Sequence, residues 1–149
     1  MIYIREITAD DAGALFALVE ANREFLMPWI EWVPLVTDME SSKFFIRCSG
    51  NIYGAWDGMQ LVGLSTVARS AGGRWSFGAL VGESSCGSGT ALRLFDFCMG
   101  AMSQMVEPNV VFCKVSERNV RSTRYVQKCG FVPTGHRDGE MVEHARKVG

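Results

Sequence analysis

The chain has 149 residues, 48% hydrophobic and 21% charged, which suits one globular domain and is too short for two. Its 15 basic and 16 acidic residues leave a formal charge of −1, which excludes binding nucleic acid through bulk positive charge. No apolar run approaches the ~20 residues of a membrane span, and the first residues do not read as a signal peptide. The sequence therefore predicts a soluble cytoplasmic protein without nucleic-acid or membrane partners, as a monomer or homodimer.

Tyr3 to Ile7 alternates like a short strand. Thr8-Ala9-Asp10-Asp11 reads as a capping box with Asp11 in the usual Glu position, and Ala12, Leu15, Leu18 and Val19 follow at helical spacing. Asn22 to Val33 is irregular and aromatic, with Phe25, Trp29 and Trp32 around Pro28. A second box, Thr37-Asp38-Met39-Glu40, predicts a helix to about Arg47. Asn51 to Trp56 and Gln60 to Ala68 read as strands joined by the hairpin turn Asp57-Gly58. After a loop of small residues, Arg74 to Val81 reads as a third strand of this group, with Trp75 and Phe77 on one face.

The second half predicts a loop over Gly82 to Gly87 and a long amphipathic helix from Ser88 to about Met105, ended by Glu107-Pro108-Asn109. Val110 to Val115 is a strand, apolar except for Lys114. A helix over Val120 to Cys129 stops at Gly130, and Phe131-Val132 and Glu140 to Val148 read as the last two strands. The order β-α-α-β-β-β-α-β-α-β-β specifies an α/β domain with a mixed sheet.

Five cysteines, odd in number and without a CxxC pair, argue against a disulfide framework, and most are expected to be small buried hydrophobes. The two histidines, His136 and His144, have no cysteine close in sequence, so no metal site is expected.

Two segments carry the chemistry. In Leu80-Val81-Gly82-Glu83-Ser84-Ser85-Cys86-Gly87-Ser88-Gly89-Thr90 a strand enters a Gly/Ser loop that opens a helix, which suits phosphate or pyrophosphate. The loop lacks a Walker ending and follows the wrong strand for a dinucleotide fold; read alone, it is equally a plain strand-to-helix turn. In Asn119-Val120-Arg121-Ser122-Thr123-Arg124-Tyr125-Val126-Gln127-Lys128-Cys129-Gly130-Phe131, Asn119 can cap a helix whose first turn carries Ser122.

Taken together and in order, these segments resemble the GNAT superfamily of N-acetyltransferases. The stretch Asn22-Arg23-Glu24-Phe25-Leu26-Met27-Pro28-Trp29-Ile30-Glu31-Trp32 is similar to the Leu-x-x-Trp-x-x-Trp segment of the RimJ/RimL type, which acetylates ribosomal-protein N-termini. The resemblance implies a single GNAT-like α/β domain, a largely antiparallel mixed sheet flanked by helices. It implies acetyl-CoA as co-substrate and direct attack by an amine acceptor, a protein or peptide N-terminus or a small amine. It places the coenzyme on Leu80, Val81, Gly82, Ser85, Cys86, Gly87, Ser88, Gly89, Thr90, Asn119 and Ser122, and the acceptor against Phe25, Trp29 and Trp32. Ser122 resembles the catalytic proton donor of the subgroup; the Tyr that other members use falls on Val126 here. Ser84 stands where the family has Gln or Arg, which removes one side-chain contact but leaves the backbone donors.

Simple proton equilibria narrow the chemistry. An α-amine with a pKa near ~8 is about a tenth neutral at pH 7, whereas a lysine near ~10.4 is below about 0.1% neutral. The sequence offers Glu24, Glu31, Glu140 and His136 as bases without singling one out, which favours a low-pKa amine. Protonating a departing thiolate of pKa near ~8.5 is worth about 2 kcal/mol, so Ser122 is expected to assist without being indispensable. The alternatives are a weakly catalytic domain that binds acyl-CoA or another anion, and an interaction module using the aromatic stretch.

Overall fold

The computed structural model describes residues 1–105 and 110–148. Strand β1 (Ile2–Glu6) leads through a 3₁₀ turn into α1 (Ala12–Ala21). Asp11 fills its place in the box by accepting the Thr8 N–H at 2.9 Å, and both of its oxygens also take Arg5 guanidinium nitrogens at 2.9 Å. The hydrogen-bonded Arg5 holds the Asp11 carboxyl below its ordinary range.

The aromatic segment is more ordered than its composition suggests. It contains a short helix, α2 (Arg23–Leu26), whose Arg23 donates to the Val33 and Val36 carbonyls at 3.1 and 2.7 Å. Helix α3 (Met39–Cys48) follows, and here the predicted box is displaced by one residue. Asp38, not Thr37, is the N-cap, and Ser41, not Glu40, is its partner: Asp38 Oδ1 accepts the Ser41 N–H at 2.8 Å and Ser41 Oγ accepts the Asp38 N–H at 3.0 Å.

Strands β2 (Asn51–Asp57) and β3 (Gln60–Arg69) form the expected hairpin with its turn one residue later than expected, at Gly58-Met59, since Asp57 pairs with Gln60; β4 (Trp75–Val81) pairs with β3. Helix α4 (Thr90–Met102) starts two residues after Ser88 because Gly89 has φ +86°, outside the helical region. It also ends before Met105, and Glu107-Pro108-Asn109 lie outside the described residues. Strand β5 (Val110–Ser116), helix α5 (Val120–Lys128), β6 (Val132–Asp138) and β7 (Met141–Lys147) complete the chain. β6 is much longer than Phe131-Val132. It is an exposed edge strand, so it lacks the apolar alternation by which strands are recognised.

The sheet order is β1-β2-β3-β4-β5-β7-β6, antiparallel at every step except β4/β5. This is the single-domain α/β architecture expected, with two cores on opposite faces of the sheet. One cluster joins α1 and α3 to Ile52, Leu64 and Leu80; the other joins α4 and α5 to Tyr53, Val67 and Phe77. Of the cysteines, Cys98, Cys113 and Cys129 are buried, and burial pushes their thiols up to about 11, 12 and 11 respectively. They are neutral thiols, inert as nucleophiles. Among the described residues no helix is long and apolar enough to cross a membrane, and no group of three His, Cys, Asp or Glu side chains is placed to hold a metal.

Candidate active site

Strands β4 and β5 pair only at Trp75↔Val111 and Ser76↔Phe112. Beyond that point β4 stays on β3 through Val81 and β5 stays on β7 through Ser116, so the sheet opens between them. Successive residues of an antiparallel ladder turn their N–H groups to opposite edges. Gly82 donates its N–H to the Val62 carbonyl at 2.9 Å, so by alternation Leu80 also faces β3. Ala79 and Val81 turn their N–H and C=O groups toward the gap. Backbone polar groups need partners, and this edge offers a ready-made ladder to an extended ligand.

At the end of β4 the loop runs through a 3₁₀ turn, Glu83–Ser85, to the α4 N-terminus. Asn22 fastens its start to α1, accepting the Glu83 N–H at 2.9 Å and donating to the Leu18 carbonyl at 2.9 Å. Gly87 and Gly89 have φ of +79° and +86°, and a Cβ on either would meet nothing within 4 Å. Glycine is required there by conformation, and the space beside it is open. The N–H groups of Gly87, Gly89, Ala91 and Leu92 have no backbone or side-chain partner among the described residues. Four open donors at a helix N-terminus have the geometry and partial charge that suit an anion.

Helix α5 faces this loop. Asn119 caps it as expected, Oδ1 accepting the Ser122 N–H at 3.1 Å. The Ser122 hydroxyl, half-buried, forms no hydrogen bond with any described residue. Tyr125, one turn on, donates its hydroxyl proton to the Ala91 carbonyl at 2.8 Å, tying α5 to α4, and burial pushes its pKa far up.

Two cavities result. The larger, about 650 Å³, lies over the loop between α4, α5 and α2; the smaller, about 120 Å³, lies in the opening between β4 and β5. They share Trp29, Ile30, Ala79, Leu80, Asn119, Ser122 and Tyr125, so Ser122 stands at their junction.

The profile of the GNAT acetyltransferase domain matches residues 2–132. The chain belongs to the GNAT acetyltransferase family. Solved GNAT-fold structures agree. RimL, a ribosomal L7/L12 α-N-protein acetyltransferase in complex with coenzyme A, superposes with a TM-score of 0.85 at 17% identity, covering 99% of this chain and 94% of that one. Ribosomal-protein-S5-alanine acetyltransferase from Vibrio fischeri gives 0.85 at 15% identity, covering 99% and 93%. The PaiA N-acetyltransferase from Thermoplasma acidophilum, in complex with coenzyme A, gives 0.83 at 15% identity, covering 99% and 99%. No curated protein sequence matches the chain significantly.

Within this GNAT domain the residues expected from sequence are not equally placed. Leu80, Val81, Ser85, Cys86, Gly87, Gly89, Asn119 and Ser122 line the larger cavity; Gly82, Ser88 and Thr90 do not. Gly82 is buried with its N–H committed to β3. The Ser88 and Thr90 hydroxyls bond each other at 2.8 Å, and Thr90 is buried. Phe25 lines the larger cavity, Trp29 both and Trp32 the smaller, where it stacks on Phe45 at 4.0 Å. Glu24, Glu31, Glu140 and His136 line neither; Glu140 pairs with Arg118 at 3.8 Å. Cys86 takes the Arg121 Nη1–H at 3.1 Å, and no carboxylate or histidine among the described residues lines the cavity with it.

The sequence reading passed over the cations of the GNAT domain. Arg121, Arg124 and Lys128 line the larger cavity at i, i+3 and i+7 along one face of α5, and Arg118, just before the N-cap, joins them. That spacing was visible in the sequence, but nothing local says that the face looks onto the loop. Arg121, Arg124 and Lys128 thus bring positive charge to the loop from α5, where Ser84 brings none from the loop itself.

Proposed function

We propose that the chain is an acetyl-CoA-dependent N-acetyltransferase of the RimJ/RimL type, acting on a primary amine of low pKa such as a protein or peptide N-terminus. The observation that carries this reading is the junction at Ser122. There the opened edge of β4, the donors of the α4 N-terminus and the aromatic cavity all meet.

Acetyl-CoA fits this arrangement. It supplies the activated acetyl group. The open N–H groups at Gly87, Gly89, Ala91 and Leu92, with Arg121 and Arg124 opposite, hold pyrophosphate. The gap-facing edge at Ala79 and Val81 takes the amide-bearing arm as an added strand and gives the thioester oxygen a donor. Phe25 and Trp29 exclude water at the junction. The amine nitrogen forms the new C–N bond, the C–S bond breaks, the Ser122 hydroxyl gives its proton to the departing sulfur, and the proton lost by the nitrogen returns to the Ser122 oxygen, leaving amide and coenzyme A thiol. No carboxylate or histidine among the described residues lines either cavity, so the amine must arrive neutral.

Titration of acetyl-CoA, followed by thiol release with N-terminal peptides, tests the reading. Micromolar binding and release with at least one α-amine support it. Failure to bind acetyl-CoA refutes it.

A further inference from the structure

The charged groups of the site are segregated in an informative way. Arg118, Arg121, Arg124 and Lys128 line the larger cavity, which Gly87 and Gly89 of the loop also line. The smaller cavity has one charged lining residue among those described, Lys114 on β5, and it does not line the larger one. With the coenzyme entering over the loop, this cavity is the far end of the groove, and Lys114 is a cation there, in a wall shared with Trp29, Trp32, Thr66, Ser122 and Met141.

Its surroundings leave it weakly engaged. The cross-strand neighbour of Lys114 is Glu143, which would be its natural counter-ion. Both Glu143 oxygens are taken, however: Oε2 accepts Arg74 Nη2 at 2.8 Å and Oε1 accepts Thr134 Oγ1 at 2.9 Å. Arg74 is fixed in turn over the Phe112 ring at 3.6 Å. Among the described residues the carboxylate left to Lys114 is the exposed Asp138 at 3.9 Å, too long for a hydrogen bond. The other nearby carboxylates, Glu117 and Glu140, pair with Arg137 and Arg118. Glu117, Glu140 and Glu143 thus each hold an arginine, and the cavity wall keeps a lysine with a donor to spare.

Resting on the acetyltransferase reading, we propose that Lys114 selects the acceptor: the substrate is an amine that bears a carboxylate close to it, such as an acidic amino compound or a peptide with an acidic first residue. The ammonium of Lys114 pairs with that carboxylate. It also disfavours a second positive charge beside it, so the amine is bound in the neutral form that attacks, without a protein base. A cationic acceptor such as a polyamine meets a like charge, with no carboxylate among the described wall residues to offset it.

The test uses the full chain saturated with coenzyme A. Calorimetry measures binding of the N-acetylated amides of glutamate, glutamine and lysine, and a thiol-release assay follows acetyl-CoA with the corresponding free amines. The expected result is glutamyl over glutaminyl by about five- to tenfold, lysyl weakest, with Lys114→Met removing the preference, Lys114→Glu inverting it and Lys114→Arg retaining it. Acetyl-CoA affinity stays unchanged in all three variants. Equal binding of the three amides, no measurable binding of any, or a preference that survives Lys114→Met overturns the proposal. The two readings fail separately. An acid preference that Lys114→Met abolishes, with no thiol release from any amine, retires the acetyltransferase and keeps the lysine. Thiol release with equal use of all three amines does the reverse.

Discussion

Around the α4 N-terminus the cavity wall carries open backbone N–H groups and long cationic side chains, whereas between β4 and β5 it carries indoles, strand residues and, of the charged side chains described, one lysine. The first wall suits a polyanion that gives up little hydration, because its donors are fixed before the ligand arrives. The second suits a neutral amine and a dry reaction centre, since few polar groups there compete for it. Ser122 belongs to both. The comparison teaches that affinity and chemistry reside in different parts of one groove, so substitutions should separate them.

The largest separation is expected at Gly89. Gly89→Glu places bulk and negative charge among the open donors and should abolish acetyl-CoA binding in calorimetry while thermal unfolding stays cooperative. Gly89→Ala controls for backbone strain, which costs roughly 1–2 kcal/mol for a side chain in the left-handed region; it should keep measurable binding. Unchanged affinity in Gly89→Glu would remove the loop from the site. Next comes Ser122→Ala, which should lower kcat about ten- to a hundredfold with KM for acetyl-CoA unchanged, since the hydroxyl acts on charge that develops during reaction. An equal kcat leaves Ser122 as helix surface.

Smaller effects sharpen the division. Arg121→Ala should weaken acetyl-CoA about tenfold, less so at high salt, without altering kcat at saturation. Ser84→Arg should tighten binding, and more in the Arg121→Ala background than in the parent, because the two guanidinium groups would serve the same phosphates. Identical gains in both backgrounds would show that they do not. Smallest is Asn119→Ala, the loss of an N-cap, expected to cost about 1 kcal/mol and lower Tm by about 3 °C. Asn119→Ser should recover most of it; no change in Tm would mean that the cap contributes nothing measurable.

What could be read from the sequence follows the same division. The wall around the α4 N-terminus is local: glycines at positive φ and a strand running into a helix lie within a dozen residues, and the Asn119 cap lies within four. The opening between β4 and β5 is not local. It depends on β5 leaving β4 after two residue pairs while keeping β7, and no segment of sequence encodes that register by itself. The same reason hid the facing of Arg121, which meets Cys86 across 35 positions, and the arginine that occupies Glu143, which comes from 69 positions away. Local ambiguity explains the displaced α3 box. Thr37 and Asp38 are both good caps and Glu40 and Ser41 both serviceable partners, so the pattern alone fits either pairing. It also explains β6, where Val-Pro-Thr-Gly-His-Arg-Asp offers no apolar face to recognise.

The central claim is that the groove turns over acetyl-CoA at the junction it forms around Ser122. The most direct measurement is thiol release from acetyl-CoA by the intact chain with a panel of N-terminal peptides, aminoglycosides and polyamines, the acetylated products read by mass spectrometry. The account predicts release with α-amines, acetyl on the amine nitrogen, and loss of release in Gly89→Glu. Tight binding of acetyl-CoA with no acetylated product from any amine would contradict it and leave a domain that binds the coenzyme without using it.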